Sequence, residues 1–103
     1  MSVAELFKQT RLPVLAAPLF IISYPELVIA QCKSGVIGSF PALNARPAEE
    51  LEKWIIKISS ELEQYKKDNP NEIVSPFAVN QICHSSNDRL EHDVDVCVKH
   101  KVP

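Results

Sequence analysis

Glycine is nearly absent from this chain. Gly35 and Gly38 are the only two in 103 residues, and neither belongs to a Gly-x-Gly-x-x-Gly or phosphate-loop lysine pattern, so no glycine-rich phosphate cradle can be built. A dinucleotide fold of the usual kind is thereby disfavoured. Cysteine is scarce too. Cys32, Cys83 and Cys97 are odd in number and show no Cys-x-x-Cys spacing, which fits reduced thiols in the cytoplasm and not a disulfide framework. Basic charge shows no excess: 11 Lys and Arg stand against 13 Asp and Glu, a formal net charge of -2 with the signs mixed along the chain. Nucleic acid is therefore not an expected partner. Long hydrophobic runs are missing as well. The apolar run at residues 12–22 is broken by Pro13 and Pro18, and it is too short for a membrane helix, which takes about 20 apolar residues. Glu5 in the would-be basic region and Gln31 before Cys32 argue against an export signal.

What is present is enough apolar material, 46% of 103 residues, for one domain and no second. The chain is organised around residues 11–20. There Val14, Leu15, Ala16 and Ala17 run unbroken between Pro13 and Pro18, as a strand buried on both faces of a parallel sheet does. Ala16 and Ala17 leave room for something flat to approach the backbone, and Pro18 removes an amide donor and turns the chain off the sheet. A ligand seat and a packed strand end both fit this stretch taken alone.

Ser2 and Glu5 are spaced as a capping box for a short helix over residues 2–9. Ser23 and Glu26 repeat that spacing before a helix expected over residues 24–34, closed by Gly35. Residues 36–40 read as a second strand, where Gly38 permits close approach. The clearest helix is expected over residues 47–67, with Pro47 in its first turn and Leu51, Trp54, Ile55, Ile58, Leu62 and Tyr65 forming one apolar stripe. Glu49 with Lys53, and Glu63 with Lys67, are spaced to pair on its wet face. Residues 76–80 read as a third buried strand. Ser86 or Asn87 caps a last helix whose buried side carries Leu90, Val94 and Cys97.

The pattern is a βαβαβα unit, so the fold class is α/β with a parallel sheet. Ligands of such sheets bind at the carboxyl ends of the strands, which places residues 16–20, 39–46 and 80–86 on one rim. Asn80 is the sharpest single residue. Its amide can offer a donor and an acceptor to a planar ligand edge, or it can tie down the following loop. Cys83, His84, His92, Cys97 and His100 lack zinc-site spacing, so no metal is expected. Cys83 beside His84 is read as ordinary loop chemistry, because catalytic pairs are normally brought together by the fold.

Read together, the rim segments resemble the nitronate monooxygenase family, formerly called 2-nitropropane dioxygenases. The likeness lies in residues 12–20 (Leu-Pro-Val-Leu-Ala-Ala-Pro-Leu-Phe), 26–30, 35–46 (Gly-Val-Ile-Gly-Ser-Phe-Pro-Ala-Leu-Asn-Ala-Arg), 76–81 (Pro-Phe-Ala-Val-Asn-Gln) and 86–93. It implies a TIM (β/α)8 barrel binding FMN, with Ala17, Pro18, Leu19 and Phe20 as the strand-one wall against the flavin ring and Asn80 in direct contact with it. Ser39 and Phe40, and more remotely His84, are implied to share that rim. The implied reaction is oxidation of alkyl nitronates with O2 to a carbonyl compound and nitrite. A complete barrel takes about 200 residues or more, with the phosphate usually on loops after the seventh and eighth strands. The chain is thus expected to be the first three βα units, with the family's histidine base and phosphate segments beyond Pro103. None of His84, His92 or His100 takes the base role. Open sheet edges imply aggregation, self-association or dependence on the missing strands. A related flavin barrel, either an NAD(P)H:quinone reductase or an enoyl reductase, and a non-catalytic α/β assembly module are the alternatives.

Overall fold

Two of the three short apolar segments form a parallel ladder. In the computed structural model, which describes residues 2–103, β1 (Gly38–Pro41) pairs with β2 (Phe77–Asn80) in the register Gly38 to Phe77 through Pro41 to Asn80. The helices are α1 (Val3–Phe7), α2 (Pro25–Lys33), α3 (Glu50–Asp68) and α4 (Leu90–Lys99), and one 3-10 turn, Ala42–Asn44, follows β1. The chain is mixed α/β with a small parallel sheet. No helix among the described residues is long and apolar enough to cross a membrane.

The first apolar segment lies on the far side of β1 and runs parallel to it, but joins by a single bridge between Leu15 and Ile37. The Ile37 amide donates to the Val14 carbonyl at 3.0 Å, and the Ala16 amide to the Ile37 carbonyl at 2.8 Å. The expectation of a strand buried on both faces is corrected: Val14 is 46% and Leu15 48% exposed. Pro13 and Pro18 have no amide hydrogen to extend the ladder, and no strand among the described residues lies beyond this segment to cover it.

The core lies on one face of the sheet. Val28, Ile29 and Cys32 of α2 meet Leu51, Ile55, Ile58 and Leu62 of α3 around Phe40 and Phe77. A Cβ on Gly38 would sit 2.6 Å from the Val28 carbonyl oxygen, so only glycine lets α2 approach β1 this closely. Gly35, at φ +94°, ends α2 in the left-handed conformation that favours glycine.

The capping box of α1 forms as expected, with the Glu5 amide on Ser2 Oγ at 3.2 Å and the Ser2 amide on Glu5 Oε2 at 2.7 Å. The second one does not. Ser23 Oγ accepts the Leu19 amide at 2.8 Å instead, and α2 starts at Pro25 with no side-chain cap, proline having no N–H to satisfy. Helix α3 starts three residues later than Pro47, which follows a cis peptide bond. Lys53 pairs with Glu50 at 3.1 Å and not with Glu49, and the Glu63–Lys67 pair is not formed among the described residues. On α4 the expected apolar side is half-covered: Val94 is 39% exposed, and the one fully buried residue of the helix is Asp93. The helix is turned so that this carboxylate faces Arg89.

Helices α3 and α4 are joined at their surface by Glu52, whose Oε1 lies 2.7 Å from both Lys99 Nζ and His100 Nε2. The hydrogen bond from Lys99, then that from His100, holds its carboxyl at about 2, against an ordinary 4.5. A depressed acid stabilises the fold above its unfolded value and loses that contribution as pH falls through the folded one. Wild type is therefore expected to be more stable than Glu52→Gln above pH 4.5, with the gap closing toward about pH 2 and narrowing with added salt. Urea midpoints across that range check it; a gap that widens on acidification would refute the assignment.

Candidate functional site

Because the three apolar segments run the same way, their carboxyl ends leave the sheet on one side. The side chain that shapes this rim is Asn44, buried in the 3-10 turn after β1. Its Oδ1 accepts the Ile21 amide at 3.0 Å, and its Nδ2 donates to the Leu19 and Ser23 carbonyls at 3.0 and 3.1 Å. These three bonds, with Ser23 Oγ on the Leu19 amide, clamp the turn at residues 19–23. Ile21 needs that clamp: at φ +68° it is a β-branched residue in the left-handed region, a strained state that persists only when its surroundings impose it. Ser39 Oγ donates to the Ala16 carbonyl and ties β1 to the segment beside it.

Ala17, Pro18, Leu19 and Phe20 lie together on this rim; Pro18 is half-buried and the others are exposed. The Arg46 guanidinium covers Phe20, 5.4 Å from the ring centroid. Asn80 leaves the sheet on the other side of β1, level with Pro41, about two strand spacings or 10 Å from the first segment. It does not tie down the following loop. That task falls to Asn87, whose Nδ2 donates to the Ile82 carbonyl at 2.8 Å. The half-buried Asn80 amide has no hydrogen-bond partner among the described residues.

Phe40 is not on the rim. It is fully buried and points into the core against Trp54, ring centroids 5.5 Å apart. His84 is exposed and engages Ser86 Oγ through Nδ1 at 2.7 Å, leaving Cys83 without a histidine partner. His92 and His100 are held by Asp93 and Glu52. No group of three or more His, Cys, Asp or Glu able to hold a metal occurs among the described residues. Asn44 is the rim residue that sequence reasoning missed. A single amide in a loop carries no periodicity, and only its position between the apolar Leu43 and Ala45 sets it apart.

Fold and rim together define a mixed α/β unit whose parallel strands discharge their loops at one mouth. Comparison with protein-family models, with curated proteins and with solved structures found no match.

Proposed function

We propose that this chain is the flavin-facing wall of an FMN-dependent oxidoreductase of the nitronate monooxygenase type, built as the first three βα units of a (β/α)8 barrel. The observation that carries this reading is the unpartnered Asn80 amide at the same mouth as the exposed Ala17 and Leu19. When bound, FMN would supply the electron chemistry by which alkyl nitronates and O2 give a carbonyl compound and nitrite. The chain's own residues orient and shield. Asn80 presents a donor and an acceptor to one edge of a planar heterocycle. Ala17 admits the ring face, and Pro18 has no amide to compete for hydrogen bonds. Asn44 and Ser23 hold the wall in place before anything binds, which lowers the ordering cost of binding. No residue here is assigned as the catalytic base, so the chain supplies one flavin wall and not a complete active site.

Titrating FMN into the purified chain, followed by flavin fluorescence and visible absorbance, tests this. Saturable quenching is expected, weakened about tenfold in Asn80→Ala, the size expected for loss of such hydrogen bonds. A colourless oligomer indifferent to FMN would instead favour a non-catalytic α/β assembly module. The exposed apolar residues Leu12, Val14, Leu15, Ile21 and Ile22 beside an unpaired strand edge are the observation on that side. With the flavin wall supported, steady-state assays of a complete barrel containing this wall, with a nitronate and with NADH plus a quinone, separate the monooxygenase from a related reductase.

A further inference from the structure

A cavity of about 520 Å³ opens between the clamped turn and α3, a volume suited to a small organic ligand. Phe20, Tyr24 and Trp54 are the aromatic part of its lining. The Tyr24 and Trp54 rings lie 4.8 Å apart at 47°, and Trp54 is braced from the core by the edge of Phe40, so this wall is fixed rather than draped. The charged lining residues mostly cancel. Lys57 pairs with Glu26 at 2.7 Å, and Lys53 with Glu50 at 3.1 Å. The hydrogen bond between Glu26 and Lys57 pushes the carboxyl down and the ammonium up, so the two charges offset each other at the rim of the cavity.

Arg46 is the cation left over. Its Nε donates to the Leu43 carbonyl at 3.0 Å and its Cζ lies over the Phe20 ring, 5.4 Å from the centroid, while its two terminal nitrogens have no partner among the described residues. In a chain of net charge -2, this cavity is a local patch of opposite sign, and a guanidinium held at Nε presents a preset fork to a planar or tetrahedral oxyanion.

We propose that the cavity binds a small planar aromatic anion, an arene bearing a carboxylate or a phosphate, with its ring against Tyr24 and Trp54 and its oxyanion on the Arg46 fork. The site shares Phe20 with the proposed flavin wall and Asn44 with the clamp behind it, but it does not rest on that reading.

Trp54 is the sole tryptophan, so its emission reports occupancy directly. The intact chain is titrated with benzoate, phenyl phosphate, benzyl alcohol and inorganic phosphate. Benzoate or phenyl phosphate is expected to give a saturable change, and the better of the two names the oxyanion. Benzyl alcohol and inorganic phosphate, each lacking one half of the ligand, are expected to bind at least about tenfold more weakly. Arg46→Met is expected to lose the same factor with unchanged circular dichroism, and Arg46→Lys, which keeps the charge without the fork, to fall between. Asn80→Ala should leave the titration as it is, which keeps this result separate from the flavin one. Equal response to benzoate and benzyl alcohol, no saturable response at millimolar concentration, or an Arg46→Met titration matching wild type would overturn the proposal. The first two comparisons use wild type and hold even if the variant does not fold.

Discussion

Arg89→Met is expected to cost about 3–5 kcal/mol of folding stability, the range for removing one partner of a buried ion pair. Asp93 is fully buried, and its Oδ1 takes Arg89 Nη2 at 3.2 Å. The same guanidinium donates to the Ala45 carbonyl at 2.7 Å and the Ala42 carbonyl at 3.3 Å, so it also stitches α4 to the turn that carries Asn44. Methionine would leave a carboxylate inside the protein with only His92 Nδ1, at 2.8 Å, beside it. Against a usual total of about 5–15 kcal/mol, that is a large share of the stability of a domain this size. The pair is not saturated, since Arg89 Nε and Asp93 Oδ2 are buried without partners, so a double replacement, Arg89→Met with Asp93→Leu, should recover much of the loss. Urea denaturation of the two single variants and the double measures this cycle. A cost below about 1 kcal/mol for Arg89→Met, the worth of an exposed pair, would mean that Asp93 is not held inside as described.

Phe40→Ala is expected to cost a similar amount, about 3–5 kcal/mol, by opening a cavity at the centre of the core. Phe40 is fully buried, touches Trp54 edge-on and sits on the strand shared by the whole sheet. At about 4–8 °C per kcal/mol for a domain of this size, its melting temperature should fall by more than about 12 °C. Phe20→Ala is the internal control. That ring is 56% exposed and has Arg46 over it, so its removal should cost less than about 1 kcal/mol. Equal costs at the two positions would show that Phe40 has been wrongly placed in the core.

The α3 stripe is legible because six apolar residues repeat at helical spacing over about four turns, and four of them, Leu51, Ile55, Ile58 and Leu62, are buried. The parallel direction is legible too, because helical stretches separate the apolar segments and a crossover leaves little alternative. The exposure of Val14 and Leu15 is not legible: a run of Val, Leu and Ala reads the same whether or not a neighbour covers it. Ser23 fails as a cap for a different reason, since two backbone amides compete for one hydroxyl and the turn amide of Leu19 wins. Arg89 and Asp93 look like an ordinary i, i+4 surface pair; only the folded chain shows that the turn's carbonyls draw them inward. On the rim, the gathering of Ala17 to Phe20 with Asn80 follows from strand direction alone, whereas the Asn44 clamp depends on three backbone groups that no spacing rule connects.

The packing around Cys32 has a chemical corollary. Its Sγ lies 3.4 Å from the Pro76 carbonyl, and its own carbonyl takes the Ser75 amide at 3.0 Å; burial pushes the thiol up to about 11. Only a thiolate alkylates readily, so iodoacetamide reaches this sulfur in molecules where α2 has lifted from the segment leading into β2, while the exposed Cys83 reacts without waiting. The slower of the two modification rates is thus a clock for the opening of that seam.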